Sequence, residues 1–148
     1  MADYPKNREE FEKRLKKHID LRMTRQGEYN RRILMKYSDC DFEQKILEIR
    51  HTTIEEELNP LKTMHGGIVT WLLDSTMGTL TNAWVHAPSP TMNISVNFVR
   101  GIKLGDEAIV RARLVHVGRA TVSASAEILV DGKVCASAIG SFFISEGR

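Results

Sequence analysis

The sequence predicts an α+β domain in which an antiparallel sheet wraps one long central helix. Three observations predict it. The run GIVTWLLDSTMGTLTNAW carries apolar residues around most of a helical circumference, so other elements must bury it. Two strand-like runs precede it and four follow, with short polar turns between them. The length, 148 residues, suffices for one domain with a substantial core and is short for two of ordinary size.

At the N terminus, Phe11, Leu15, Ile19 and Met23 recur at i, i+4 spacing among charged residues, which predicts an amphipathic helix over about residues 7–24. Its apolar stripe is narrow, so it is expected outside the core, as a segment 1–25 ahead of a main domain 26–148. Gln26-Gly27-Glu28 ends the pattern. Ile33, Met35 and Tyr37 alternate with Leu34 and Lys36 as in a short edge strand, followed by a polar turn at Ser38-Asp39-Cys40-Asp41. Ile46, Glu48 and Arg50 then alternate with Leu47, Ile49 and His51, predicting a second strand over about 44–56. The central helix starts at Gly66.

Beyond the turn-rich HAPSP, the runs TMNISVNFVR, DEAIVRARLVHV, ATVSASAEILV and KVCASAIGSFFIS read as four successive strands of an antiparallel meander. Leu104-Gly105-Asp106, Val117-Gly118-Arg119 and Val130-Asp131-Gly132-Lys133 separate them, and Asp-Gly is a strong two-residue hairpin signal. A sheet curled around one such helix is the hotdog architecture.

Composition narrows the function classes. Lys and Arg number 21 against 19 Asp and Glu, a formal net charge of +2, so no nucleic-acid partner is indicated. Neither a signal-peptide core nor a membrane span is seen, and the cytoplasm is the expected location. Cys40 and Cys135 stand alone without CxxC spacing, which fits two idle thiols in a reducing compartment; no metal and no cofactor is expected.

At about 100° per residue, Gly67, Thr70, Asp74, Gly78 and Thr81 share one stripe of the central helix, opposite Ile68, Val69, Leu72, Leu73, Leu80 and Ala83. A carboxylate on the small-residue face of a buried helix loses hydration, a cost that suggests chemistry at Asp74. The bland alternative is a structural hydrogen bond or a solvent-facing side chain. His65-Gly66-Gly67 leaves backbone N–H groups at the positive end of the helix, where an oxyanion hole can form; a plain strand-to-helix turn is the competing reading. Asp74 lies eight residues beyond Gly66, roughly 12 Å along the axis, too far for both to reach one carbonyl. Two antiparallel copies of the helix about a two-fold axis would bring Asp74 of one protomer towards Gly66 of the other, making a homodimer part of the site.

The string Asn59-Pro60-Leu61-Lys62-Thr63-Met64-His65-Gly66-Gly67, with Asp74 and Gly78, resembles the PaaI-like branch of hotdog acyl-CoA thioesterases. The resemblance extends over about residues 30–145 and leaves out the N-terminal helix. It implies an acyl-CoA substrate, Asp74 as general base on water or nucleophile on the thioester carbon, and the Gly66 amide as polariser of the carbonyl oxygen. It further implies that Asn59 helps place water or substrate and that His65 orients the loop or caps the helix. Gly67 would border the substrate. A hydroxyl facing the helix assists in some relatives; Ser89 and Thr91 are the nearest matches, with Pro88 and Pro90 blurring the register. Arg100, Lys103 or Arg119 would meet a CoA phosphate. A dimer of dimers is the family habit.

Two rival functions share the fold. A hydratase or dehydratase needs a His following Asn59-Pro60-Leu61 directly and an Asp close before it, whereas His65 comes four residues after Leu61 and Leu58 precedes Asn59. A non-catalytic acyl-CoA sensor would need a DNA-binding module, for which residues 1–30 offer one helix. Acyl preference is open: Trp71, Met77 and Trp84 line the pocket or fill the core.

Overall fold

A computed structural model describes residues 2–25 and 33–145. Helix α1 (Arg8–Arg25) is followed by strands β1 (Lys36–Asp41) and β2 (Ile46–Thr52) and a short 3-10 turn at Glu55–Glu57. The central helix α2 (Gly66–Val85) comes next, and then β3 (Thr91–Phe98), β4 (Glu107–Val117), β5 (Thr121–Val130) and β6 (Lys133–Phe143). All six strands form one antiparallel sheet in the order β1-β2-β4-β5-β6-β3.

The sheet takes α2 on one face because its strands alternate. Ala108, Val110, Ala112 and Leu114 of β4, with Val122, Ala124, Ala126 and Ile128 of β5, are buried. The alanines in mid-strand let the helix approach closely. From α2, Leu72, Leu73, Met77 and Leu80 are fully buried, each contributing about 1.5–3 kcal/mol by removal from water. Asp131 and Gly132 both adopt positive φ (50° and 73°), the geometry of the tight Asp-Gly hairpin expected between β5 and β6.

Three expectations are corrected. The four C-terminal strands are not one meander: only β4-β5-β6 is, while β3 lies at the far edge, paired with β6 alone. Strand β3 has too little apolar surface for a central place, and its residues are half-buried at most. Ser38–Asp41 is no turn. It belongs to β1, where Cys40 pairs with Leu47 and Asp41 with Ile46, and the chain reverses at Phe42–Lys45 instead. Ladder hydrogen bonds with β2 and burial of Cys40 outweigh the polar composition. Third, β2 ends at Thr52, short of the expected 56. The expected helix end at Gln26-Gly27-Glu28 lies outside the described residues.

Helix α1 packs Phe11, Leu15 and Ile19 against α2 and β1. Phe11 meets Trp84 edge-on at 5.2 Å between ring centres, and Tyr4 and Phe42 complete that aromatic cluster. Trp84 and Met77 are thus core residues, and Trp71 is half-buried. This packing also closes part of the small-residue stripe. Gly78 and Thr81 are buried, whereas Gly67 is exposed and Thr70 and Asp74 are half-buried.

Candidate active site

The loop ahead of α2 is held by Asn59. Its Oδ1 accepts from the N–H groups of Leu61 (3.0 Å) and Thr63 (3.2 Å), and its Nδ2 donates to Thr63 Oγ1 (3.1 Å). The Asn59 N–H donates to Thr63 O, and Lys62 takes a left-handed conformation (φ 63°) to close the turn. The loop then returns to its own start, where His65 N–H donates to Glu57 O at 2.7 Å.

His65 is the N-cap of α2. Its Nδ1 accepts from Gly67 N–H at 2.9 Å, and its carbonyl accepts from Ile68 and Val69. The Gly67 amide, expected to border substrate, is therefore engaged by the cap. Among the described residues the Gly66 N–H has no acceptor. It is a free donor at the positive end of a 20-residue helix. A Cβ at Gly66 would sit 3.3 Å from Phe98 Cε1, so glycine permits the ring to lie against this donor. Asn59, Gly66, Phe98, Val99, Arg100 and Ile102 line a cleft of about 360 Å³ here.

Two turns further along α2, Asp74 Oδ1 accepts from Thr91 Oγ1 at 2.8 Å. Asp74 Oδ2 has no hydrogen-bond partner among the described residues. Of the two hydroxyls considered, Thr91 meets the carboxylate. Ser89 is buried and donates to Ala87 O at 3.1 Å instead. Helix α1 supplies a cation at this end. Arg22 Nε donates to Thr79 Oγ1 (3.2 Å), and Nη2 lies 3.5 Å from where a Cβ on Gly78 would be. Burial pulls the Arg22 guanidinium below its ordinary value, and the Asp74 charge opposes that.

The structure brings Asn59, Gly66 and Arg100 to one cleft, and Asp74 of α2 and Thr91 of β3 together at another place, two turns along the helix. Arg119 stands apart from the Gly66 cleft and towards the Thr91 end of β3, where Ala120 O accepts from Ile144 N–H and Pro90 O from Phe143 N–H. It follows β4, whose opposite end, at Glu107, is the one nearer the cleft; the strand's 11 residues separate the two, roughly 35 Å of extended chain.

Sequence reasoning missed a buried pair behind the loop. His51 Nε2 and Glu57 Oε2 are 2.8 Å apart, with both side chains about 3% exposed or less. Burial pulls His51 down, but the Glu57 carboxylate and the Leu34 carbonyl accept from its ring, and the net displacement is upward. Phe98 and Arg22 were also missed. An aromatic at the end of an edge strand and an arginine on an amphipathic helix carry no signal until the chain is folded.

Among the described residues, no helix is long and apolar enough to cross a membrane. No curated protein matches the sequence. Similar solved structures include the Escherichia coli PaaI protein from the phenylacetic acid degradation operon, 18% identical, covering 92% of this chain and 96% of that one with a TM-score of 0.80. A phenylacetic acid degradation-related protein of Ralstonia eutropha JMP134 is 28% identical, covering 74% of this chain and 84% of that one, TM-score 0.70. A Streptococcus mutans UA159 protein bound to acetyl CoA is 22% identical, covering 77% of this chain and 90% of that one, TM-score 0.71. The thioesterase superfamily model matches residues 61–136, about half of the chain and the stretch that holds both Gly66 and Asp74. A six-stranded antiparallel sheet around α2 and this match together make the chain a hotdog-fold member of the thioesterase superfamily.

Proposed function

We propose that the protein hydrolyses an acyl-CoA thioester to the free acid and CoA in a homodimer, with Asp74 of one protomer acting at a carbonyl held by the partner's Gly66. One observation carries this reading. Strand β3 runs beside α2 with Phe98 against Gly66 at one end and Thr91 on Asp74 at the other, and among the described residues its outer edge has no partner strand. Pairing that edge with a second copy, antiparallel about a two-fold axis near Ile94 and Ser95, sets Thr91 of one chain beside the partner's Phe98. Asp74 then approaches the partner's Gly66. The exposed Met92, Phe98 and Val99 on or next to this edge favour such a cover.

In this arrangement the partner's Gly66 N–H donates to the thioester oxygen and stabilises the negative charge that grows on it. As general base, Asp74 Oδ2 takes a proton from water while the water oxygen bonds to the thioester carbon. The C–S bond then breaks, and the sulfur of CoA leaves with that proton. As nucleophile, Asp74 Oδ2 itself bonds to the carbon as the C–S bond breaks and the CoA thiolate leaves, taking a proton from solvent; water then cleaves the resulting anhydride to the free acid and the Asp74 carboxylate. Thr91 orients the carboxylate in either case by holding Oδ1. The acetyl CoA bound by the Streptococcus mutans protein supports CoA as the thiol portion. Arg100, at the cleft mouth, is placed for a CoA phosphate. A dimer of dimers follows from the family habit.

The test is a panel of acyl-CoAs incubated with pure protein and a thiol reagent. Release of free CoA that disappears with Asp74→Ala is the expected result. A change in enoyl absorbance without thiol release, or tight binding without turnover, would replace hydrolysis by hydration or by sensing.

A further inference from the structure

The pair His51–Glu57 is buried, belongs to neither cleft residue set, and is costly. Two ionisable side chains withdrawn from water are rarely the most stable filling for such a space, and apolar residues of similar volume usually serve stability as well. The cost is not fully compensated here, because Glu57 Oε1 is buried with no hydrogen-bond partner among the described residues. A role other than stability is indicated.

The hydrogen bonds show where that role leads. The Leu34 carbonyl, 3.0 Å from His51 Nδ1, can only accept, so Nδ1 carries a proton. Glu57 Oε2 receives Ile54 N–H at 3.2 Å as well as His51 Nε2 at 2.8 Å, which favours a carboxylate facing a doubly protonated ring. The side chain of Glu57 is thereby locked to β2 through His51. Its main-chain carbonyl, meanwhile, accepts from His65 N–H at 2.7 Å. His65 is the cap residue, and the next N–H is the free donor of Gly66. Glu57 is one covalent residue away from Leu58, whose bridge to Met64 closes the same loop. A displacement of Glu57 therefore passes to Gly66 through one hydrogen bond and one peptide unit.

We propose that His51 and Glu57 are positioning residues, a buried pair that sets where the Gly66 N–H points. This rests on the reading of Gly66 as the oxyanion donor. The pair touches no substrate and acts through the Glu57–His65 hydrogen bond. Glu57 is the charged group that acts on His51 among the described residues, and the donor's direction follows the protonation of His51 through the His51–Glu57 and Glu57–His65 hydrogen bonds.

The decisive variant replaces both partners, His51→Leu with Glu57→Leu, which removes the buried charges while keeping the space filled. A variant that melts no lower than wild type, keeps KM, and loses about tenfold or more in kcat is expected, since misplacing a reacting contact by about 1 Å has large rate effects. Unchanged kcat in a well-folded double variant would overturn the proposal. If the double variant does not fold, Glu57→Gln, which keeps the shape and removes the charge, takes its place with the same expectation. A second measurement needs no turnover: in the wild-type protein, the Gly66 amide resonance is followed by NMR while His51 is titrated. It should shift with the midpoint of the His51 ring, and a Gly66 resonance flat through that midpoint would sink the idea. Absence of any thioester hydrolysis would remove the proposed function yet leave this NMR outcome to decide the coupling.

Discussion

The two ends of the site stretch of α2 are built in opposite ways. At Gly66, the donor is a main-chain group, and its surroundings are dense: the Asn59 turn, the His65 cap, the Phe98 ring and the His51–Glu57 pair all constrain it. At Asp74, the functional group is a side chain held by one hydrogen bond from Thr91, with Arg22 beside the next turn. The difference follows from chemistry. A backbone N–H cannot rotate, so its direction must be set by the fold around it; in the proposed reaction, a carboxylate that moves a proton needs an unengaged oxygen.

Substitutions can break this contrast, starting with the largest effect. Asp74→Asn should lower kcat by about 10²–10⁴-fold with the fold intact, the range expected for loss of a general base or nucleophile; CoA release and the melting temperature measure both. Gly66→Ala keeps the N–H but drives a Cβ to 3.3 Å from the Phe98 ring. A loss of about tenfold in kcat should follow from displacing the donor, and Gly66→Ala combined with Phe98→Leu should recover part of it. An unaltered rate in Gly66→Ala would show that this end tolerates movement.

Smaller effects sharpen the comparison at the Asp74 end. Thr91→Val removes the hydroxyl from Asp74 and should cost about three- to tenfold in kcat, on the order of one net hydrogen bond. Ser89→Ala should leave kcat unchanged, because that hydroxyl is bonded to Ala87. Equal losses in the two variants would contradict the separate roles. The dense end should show itself in stability against pH. His51 is raised above its unfolded value of about 6.5. Its contribution is fully present below that value and is lost as pH rises through the higher folded value. Melting temperature should therefore decline over that window in the wild type, and the decline should flatten in His51→Asn.

Much of this was legible in local sequence because local physics determines it. The helix at 66–85 follows from a circumference of apolar residues, and the hairpin at Asp131-Gly132 from residues that accept positive φ. The distance between Gly66 and Asp74 follows from helical rise alone. Other features depended on what each segment meets. Ser38–Asp41 reads as a turn until β2 offers it a ladder, and Ser89 and Thr91 are equivalent until β3 turns one of them to the helix. The separation of Arg119 from Arg100 within one chain, by the length of β4, is likewise invisible in a linear string.

The sequence by itself determined the class of elements, the free amide at the helix start and the carboxylate two turns later, since periodicity and covalent spacing act within one segment. Tertiary structure alone decided that β3 crosses to the far edge of the sheet, that α1 lays Arg22 over Gly78, and that a buried His–Glu pair stands behind the loop. Those are contacts between segments far apart in the chain. Burial and hydrogen-bond satisfaction select among many pairings that the local pattern leaves equally open.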